Sequence, residues 1–205
     1  MIQLLKMSFR NLGRNRRRTF FSSLALGMAL AVLLLMASVI EGEMGTAIES
    51  QIRLQSGHLQ VRASTYNESK TSLKWEDLVE NPDQVAAQIA ALEPVKVATP
   101  RLFASGFISV GNESDGVRVY GIDPLSEAND PYREEMVSGE FITPDDREGI
   151  VIGWALADKL GLKAGDQVSL SVNTSNGEVD EQTFTIRGIY TTHTSGFDSF
   201  TVFLP

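Results

Sequence analysis

Between residues 19 and 40 the chain reads TFFSSLALGMALAVLLLMASVI, a mostly apolar run without a single charge. A helix rises about 1.5 Å per residue, so this run covers roughly 30 Å, the depth of a bilayer's hydrocarbon core. It predicts one transmembrane helix. Upstream, Ile2, Leu5, Phe9 and Leu12 recur at spacings of three and four, with Lys6 and Arg10 to one side of the stripe. Residues 1–18 therefore read as an amphipathic helix on the inner membrane surface, although Leu4 and Met7 fall off the stripe. The competing reading is a polar tail with scattered apolar residues. Downstream, Met44, Ile48 and Ile52 keep an i, i+4 spacing, which extends the helix outward as a stalk over residues 41–57. Gly42 and Gly45 oppose it by roughly 1 kcal/mol each.

Beyond Gly57 the pattern changes period. His58 to Arg62 alternates as HLQVR and predicts a strand, followed by a polar loop over residues 64–74. Pro82-Asp83 opens a helix to Leu92 with Val85, Ile89 and Leu92 on one face. Residues 95–122 are rich in Val, Phe and Ile and predict two or three strands, joined by a turn at Gly111 to Gly116. An acidic loop over residues 123–135 leads to a second unit. There GIVIG at 149 is a short buried strand, WALADKLG a helix closed by Gly161, and LKAGDQVSLSV a turn into another strand. Residues 182–191 and 199–204 supply two more strands. The fold class is α+β, with more strand than helix in the part from 58 to 205.

Charge orients the span. Every Lys and Arg before Glu41, including Arg14, Arg16, Arg17 and Arg18, lies N-terminal to the apolar run. The positive-inside rule then puts residues 1–18 in the cytoplasm and residues 41–205 outside. A cleaved signal peptide is the competing reading. Its apolar region is shorter and ends in an A-x-A-like site, for which Ala37-Ser38-Val39 is a poor match. Within the span, Ser23, Gly27 and Ala31 are four apart on one face, which admits close packing by another helix. The formal net charge of −8 hides an asymmetry, because all acidic residues lie beyond the first forty. An acidic outer part is unsuited to nucleic acid. Cys is absent, which excludes disulfides and thiolate metal sites.

Motifs for chemistry are scarce. The chain has no GxxxxGK[ST], HExxH or GxGxxG, and no cofactor or metal site is expected. His193, Ser195 and Asp198 are the residue types of a hydrolase triad, but triad members converge from different elements, and a polar hairpin is the simpler reading. His58 has no second His nearby. Asp145, Asp146 and Glu148 lack the spacing of a calcium loop and read as a solvated acidic turn. Asn67, Asn112 and Asn173 begin N-x-[ST] sequons, relevant only in a eukaryotic secretory pathway.

The opening MSFRNLGRNRRRTFFSSLALGMALAVLLL resembles the elbow and first membrane helix of FtsX/MacB-type ABC transporter permeases, with their R-N-L-x-R-x-x-R-R-T start. GHLQVRASTY resembles the first strand of their periplasmic core domain, and ATPRLFASGFISVG and VRVYGIDP its middle. SGEFI with GIVIGWALADKLGLKAGDQVSL is similar to its most recognisable block, and FTIRGIYTTHTSGFDSFTVFLP to the strand pair that follows. Gly-Ile-Asp-Pro at 121–124 and Phe197-Asp198 look closest to the lipoprotein-releasing LolC/LolE branch. The resemblance implies a permease subunit of the bacterial inner membrane, itself no enzyme. It works with a separate cytoplasmic P-loop ATPase and a second permease subunit, and passes ATPase motion to a substrate in the periplasm. In the lipoprotein branch the partners are a lipoprotein and a periplasmic carrier. The hairpin between Leu170 and Phe184 is where the family implies carrier contact. Its tip here is the short Asn173-Thr174-Ser175-Asn176-Gly177, without a proline-bearing hook. Family members continue with more outer domain and three further membrane helices, so an N-terminal fragment with an incomplete outer domain is expected. The alternatives are an efflux or mechanotransmission permease for another substrate, a single-pass ligand-binding sensor, and a secreted domain with an uncleaved leader.

Overall fold

The computed structural model describes Met7 and residues 15–67, 74–174, 176 and 178–205. The chain divides into two units, Met1–His58 and Leu59–Pro205. The amphipathic helix expected over residues 1–18, and Arg14 with it, falls almost wholly outside the described residues.

From residue 15 onward the first unit is one long helix, α1 (Arg16–Gln51), which passes into a π-helical turn over Ile52–Ser56. None of α1 is buried. By length and composition it could cross a membrane. The turn ends at Gly57, whose φ of 61° and ψ of −176° are open essentially to glycine alone.

In the second unit Pro82 stands in the first turn of α2 (Pro82–Ala90), where its missing N–H costs nothing. Val85 and Ile89 are half-buried, while Leu92 lies past the helix end and is 57% exposed. Seven strands follow, β1 (Arg101–Val110), β2 (Glu113–Ile122), β3 (Met136–Gly139), β4 (Gly149–Gly153), β5 (Gln167–Asn173), β6 (Val179–Tyr190) and β7 (Thr201–Leu204). Short helices α3 (Asp130–Arg133), α4 (Trp154–Leu160) and α5 (Ser195–Asp198) sit between them.

The strand order is β3-β6-β4-β7-β2-β1-β5, and β5 also pairs with β6. Pairing thus runs round a closed circuit of six strands, with β3 added to β6. The circuit closes because β6 is long: residues 179–185 pair with β5 and residues 185–190 with β4. Period-two alternation sends Val117 and Val119, Ile150 and Ile152, Val168 and Leu170, and Phe184 and Ile186 into one mainly aliphatic core, sealed by Leu156 and Ala157 of α4. The intervening residues of β2, β7 and β6 build a second, aromatic core. Phe203 has ring centroids 4.4 Å from Tyr132, 5.1 Å from Tyr190 and 5.7 Å from Tyr120. Phe197 of α5 stacks on Tyr132 at 5.9 Å. The fold is α+β and strand-rich, as the alternation indicates.

Several local expectations are corrected. Residues 58–62 form no strand, and Leu59 is 90% and Val61 61% exposed. Alternation makes a strand only where a neighbouring strand supplies hydrogen bonds, and among the described residues HLQVR has none. Residues 95–122 hold two strands, and the turn is tight at Gly111-Asn112, leaving Gly116 inside β2 opposite Phe107. The acidic loop is ordered as a 3-10 turn (Glu127–Asn129) and α3. Arg101 donates to the Ala128 carbonyl and Asn129 Oδ1 there, and Arg133 to the carbonyls of Pro124 and Ser126. The last two strands are separated in the sheet by β4, so the segment between them is a crossover bearing α5.

Candidate functional site

Three surfaces were singled out in the sequence. On α1, Ser23, Gly27 and Ala31 are all exposed, and a Cβ at Gly27 would meet nothing within 4 Å. Arg16, Arg17 and Arg18 occupy the first turn, with no acidic residue and no side-chain cap. Cations at a helix N-terminus oppose the macrodipole by about 0.3–1 kcal/mol each. Helix stability therefore does not explain the cluster.

The β5–β6 hairpin forms with Asn173 opposite Val179. Its mouth is closed by Thr174, whose N–H and hydroxyl both donate to the Glu178 carbonyl at 2.8 and 3.0 Å. Asn176 is exposed at the tip, while Ser175 and Gly177 lie outside the described residues.

The third surface gathers around Asp198. Its carboxylate is 1% exposed and accepts from the Thr191 hydroxyl at 3.0 Å, the Thr192 N–H at 3.0 Å and the Thr192 hydroxyl at 2.7 Å. His193 turns away, with φ of 57° and a 78% exposed side chain whose Nε2 lies 3.7 Å from Glu135 Oε2. Ser195 is exposed at the start of α5. No triad is assembled, because the acid faces two threonines rather than the imidazole. Asp198 acts as the clasp of the β6–β7 crossover. Gly153 makes room for it, since a Cβ there would lie 2.6 Å from the Asp198 Cα. Beside the clasp runs an open groove of about 350 Å³, lined by Val137, Trp154, Thr191, His193, Ser195 and Asp198. Sequence reasoning missed Val137 and Trp154, which come from β3 and α4. Below it, burial pushes the Tyr190 hydroxyl well up from its usual range, with the Asp198 charge adding. That phenol donates to the Thr201 carbonyl at 3.2 Å.

The acidic turn at 145–148 is not free either. Asp146 takes a bidentate contact from Arg187, Nε at 2.6 Å and a terminal nitrogen at 3.0 Å, and this holds its carboxyl below the usual range. Among the described residues no group of acidic and His side chains is arranged to hold a metal ion.

The described residues thus comprise a long helix apolar enough to cross a membrane and a strand-rich α+β domain. The family model for the MacB-like periplasmic core domain matches residues 19–205, and the chain belongs to that family. No curated protein matches it. The periplasmic region of MacB from Actinobacillus actinomycetemcomitans is 18% identical with a TM-score of 0.43, the alignment covering 64% of this chain and 58% of that one. The extracellular domain of the noncanonic ABC-type transporter YknZ from Gram-positive bacteria is 15% identical with a TM-score of 0.44, covering 60% and 62%. The chain thus spans less than two thirds of either structure.

Proposed function

We propose that this chain is part of an ABC transporter permease in which α1 crosses the bacterial inner membrane and residues 41–205 work in the periplasm. The observation that carries the reading is the family match, which includes the apolar helix together with the domain. The arginines at the start of α1 support a cytoplasmic N-terminus, since they are misplaced for the helix dipole and well placed for the positive-inside rule. ATP hydrolysis belongs, as the family resemblance implies, to a separate cytoplasmic P-loop ATPase; residues 1–205 contain no phosphate-binding loop. A second permease subunit packs on the Ser23, Gly27 and Ala31 face. Domain boundaries follow at 1–18, 19–40, 41–57 and 58–205.

Lipoprotein release is the substrate class we favour, from the Gly-Ile-Asp-Pro and Phe197-Asp198 resemblance. Phe197 and Asp198 are buried, so they support the domain rather than touch cargo. A carrier contact belongs at the hairpin tip, residues 173–177, where Asn173 and Asn176 are exposed. The test is affinity purification of the tagged full-length protein from its own cells. Recovery of a P-loop ATPase at near-stoichiometric yield is expected, and its consistent absence overturns the transporter reading. Depletion that leaves lipoproteins correctly sorted overturns the lipoprotein reading alone.

A further inference from the structure

The strand order leaves β3 at an open end, paired on one side only, with β6. Val137, Ser138 and Gly139 are exposed, Val137 by 54%, and among the described residues no other strand reaches them. An edge of this kind presents unpaired backbone donors and acceptors, which native proteins cover or defend. The usual defences are an inward charge, a proline or a bulge. β3 has no charge and no proline; the defences it does carry are its length of four residues and the bulge at Val137, between Met136 and Ser138.

Side chains around the edge state what would suit it. Val137 lines the groove with Trp154, itself 47% exposed, so a cross-strand neighbour of Val137 finds an apolar surface. Exposed carboxylates bracket the strand, Glu134 and Glu135 before it and Glu140 after it. The cations beside it are engaged, Arg133 by Asp130 at 2.8 Å and Arg187 by Asp146 at 2.6 Å. Residues 59–205 hold 11 Lys and Arg against 23 Asp and Glu, so the long-range field points the same way.

We propose that β3 is a docking edge for an extended, basic segment of a partner protein, which adds as a further strand and sets an apolar side chain against Val137 and Trp154. Main-chain hydrogen bonds supply affinity, and the carboxylates with the Val137–Trp154 surface supply selectivity. The proposal rests on the edge and its side chains, not on the transport reading. The site is distinct from the β5–β6 hairpin tip.

The test uses the full chain in nanodiscs of zwitterionic lipid, with a labelled decapeptide of alternating Lys and Val as probe and its Glu-Val counterpart as control. Saturable binding of the Lys-Val peptide is expected, with slowed amide exchange at residues 136–139. Val137→Lys, at an exposed position, is expected to weaken binding about tenfold or more. Glu140→Lys weakens it without touching the apolar contact, which guards against a folding artefact in the first variant. Absence of binding up to about 1 mM peptide overturns the proposal. So does equal binding of the Glu-Val peptide, insensitivity to both variants, or protection that falls elsewhere in the domain.

Discussion

Replacing Asp198 by Ala removes the acceptor of three donors, the Thr191 hydroxyl and the N–H and hydroxyl of Thr192. Hydrogen bonds to a charged group contribute about 1.5–3 kcal/mol each, but both threonines are half-buried and water regains part of that. A net cost of about 3–4 kcal/mol remains. At about 2–4 °C per kcal/mol for a chain of this size, Tm falls by about 6–16 °C. Near-UV circular dichroism of the full chain in nanodiscs is the assay, because Phe197 carries the clasp directly into the aromatic core. His193→Ala serves as the comparison. Its side chain is 78% exposed, so the change stays within about 0.5 kcal/mol. A triad would make both residues essential to an activity and neither to the fold. A Tm drop below about 2 °C for Asp198→Ala would refute the clasp, as would an equal drop for His193→Ala.

Three further outcomes are expected from the same packing. Asp146 has its pKa lowered from the ordinary 3.8 chiefly by the Arg187 hydrogen bonds, so its contribution is full above that value and disappears as pH falls through the lowered one. Wild type is therefore expected to exceed Arg187→Gln in stability at neutral pH, with the gap closing in acid below pH 3.8; a pH-independent gap in denaturant titrations counts against the pair. Gly153→Ala pushes a methyl into the Asp198 backbone and is expected to cost about 1–3 kcal/mol by thermal melt. A Cys at Ser23 is expected to form a disulfide with a Cys on the partner helix in membranes and Gly27→Leu to abolish it; absence of any cross-link in the parent, or its survival in Gly27→Leu, counts against close packing at Gly27.

The pattern of residues by itself determined α1, the β1–β2 hairpin, strands at β5 and β6, the β4–α4 unit closed by Gly161, and the α+β class, while the joining of β5 and β6 as a hairpin came with the family resemblance. These elements are local: period, turn chemistry and helix stops are written within a dozen residues of one another. Gly161, for instance, sits at φ of 66° directly after Leu160. Tertiary structure decided what depends on neighbours distant in sequence. HLQVR alternates as well as any strand in the chain but lacks a pairing partner among the described residues, whereas unremarkable MVSG becomes β3 because β6 lies beside it. The aromatic core was invisible because its rings come from β2, α3, β6, α5 and β7, one from each, and only the fold brings those five elements together. Asp198, read in the sequence as part of a polar hairpin, proved to be the clasp of a crossover. A carboxylate's role is set by which donors the backbone brings within 3 Å, and that is decided only when the crossover folds onto β4.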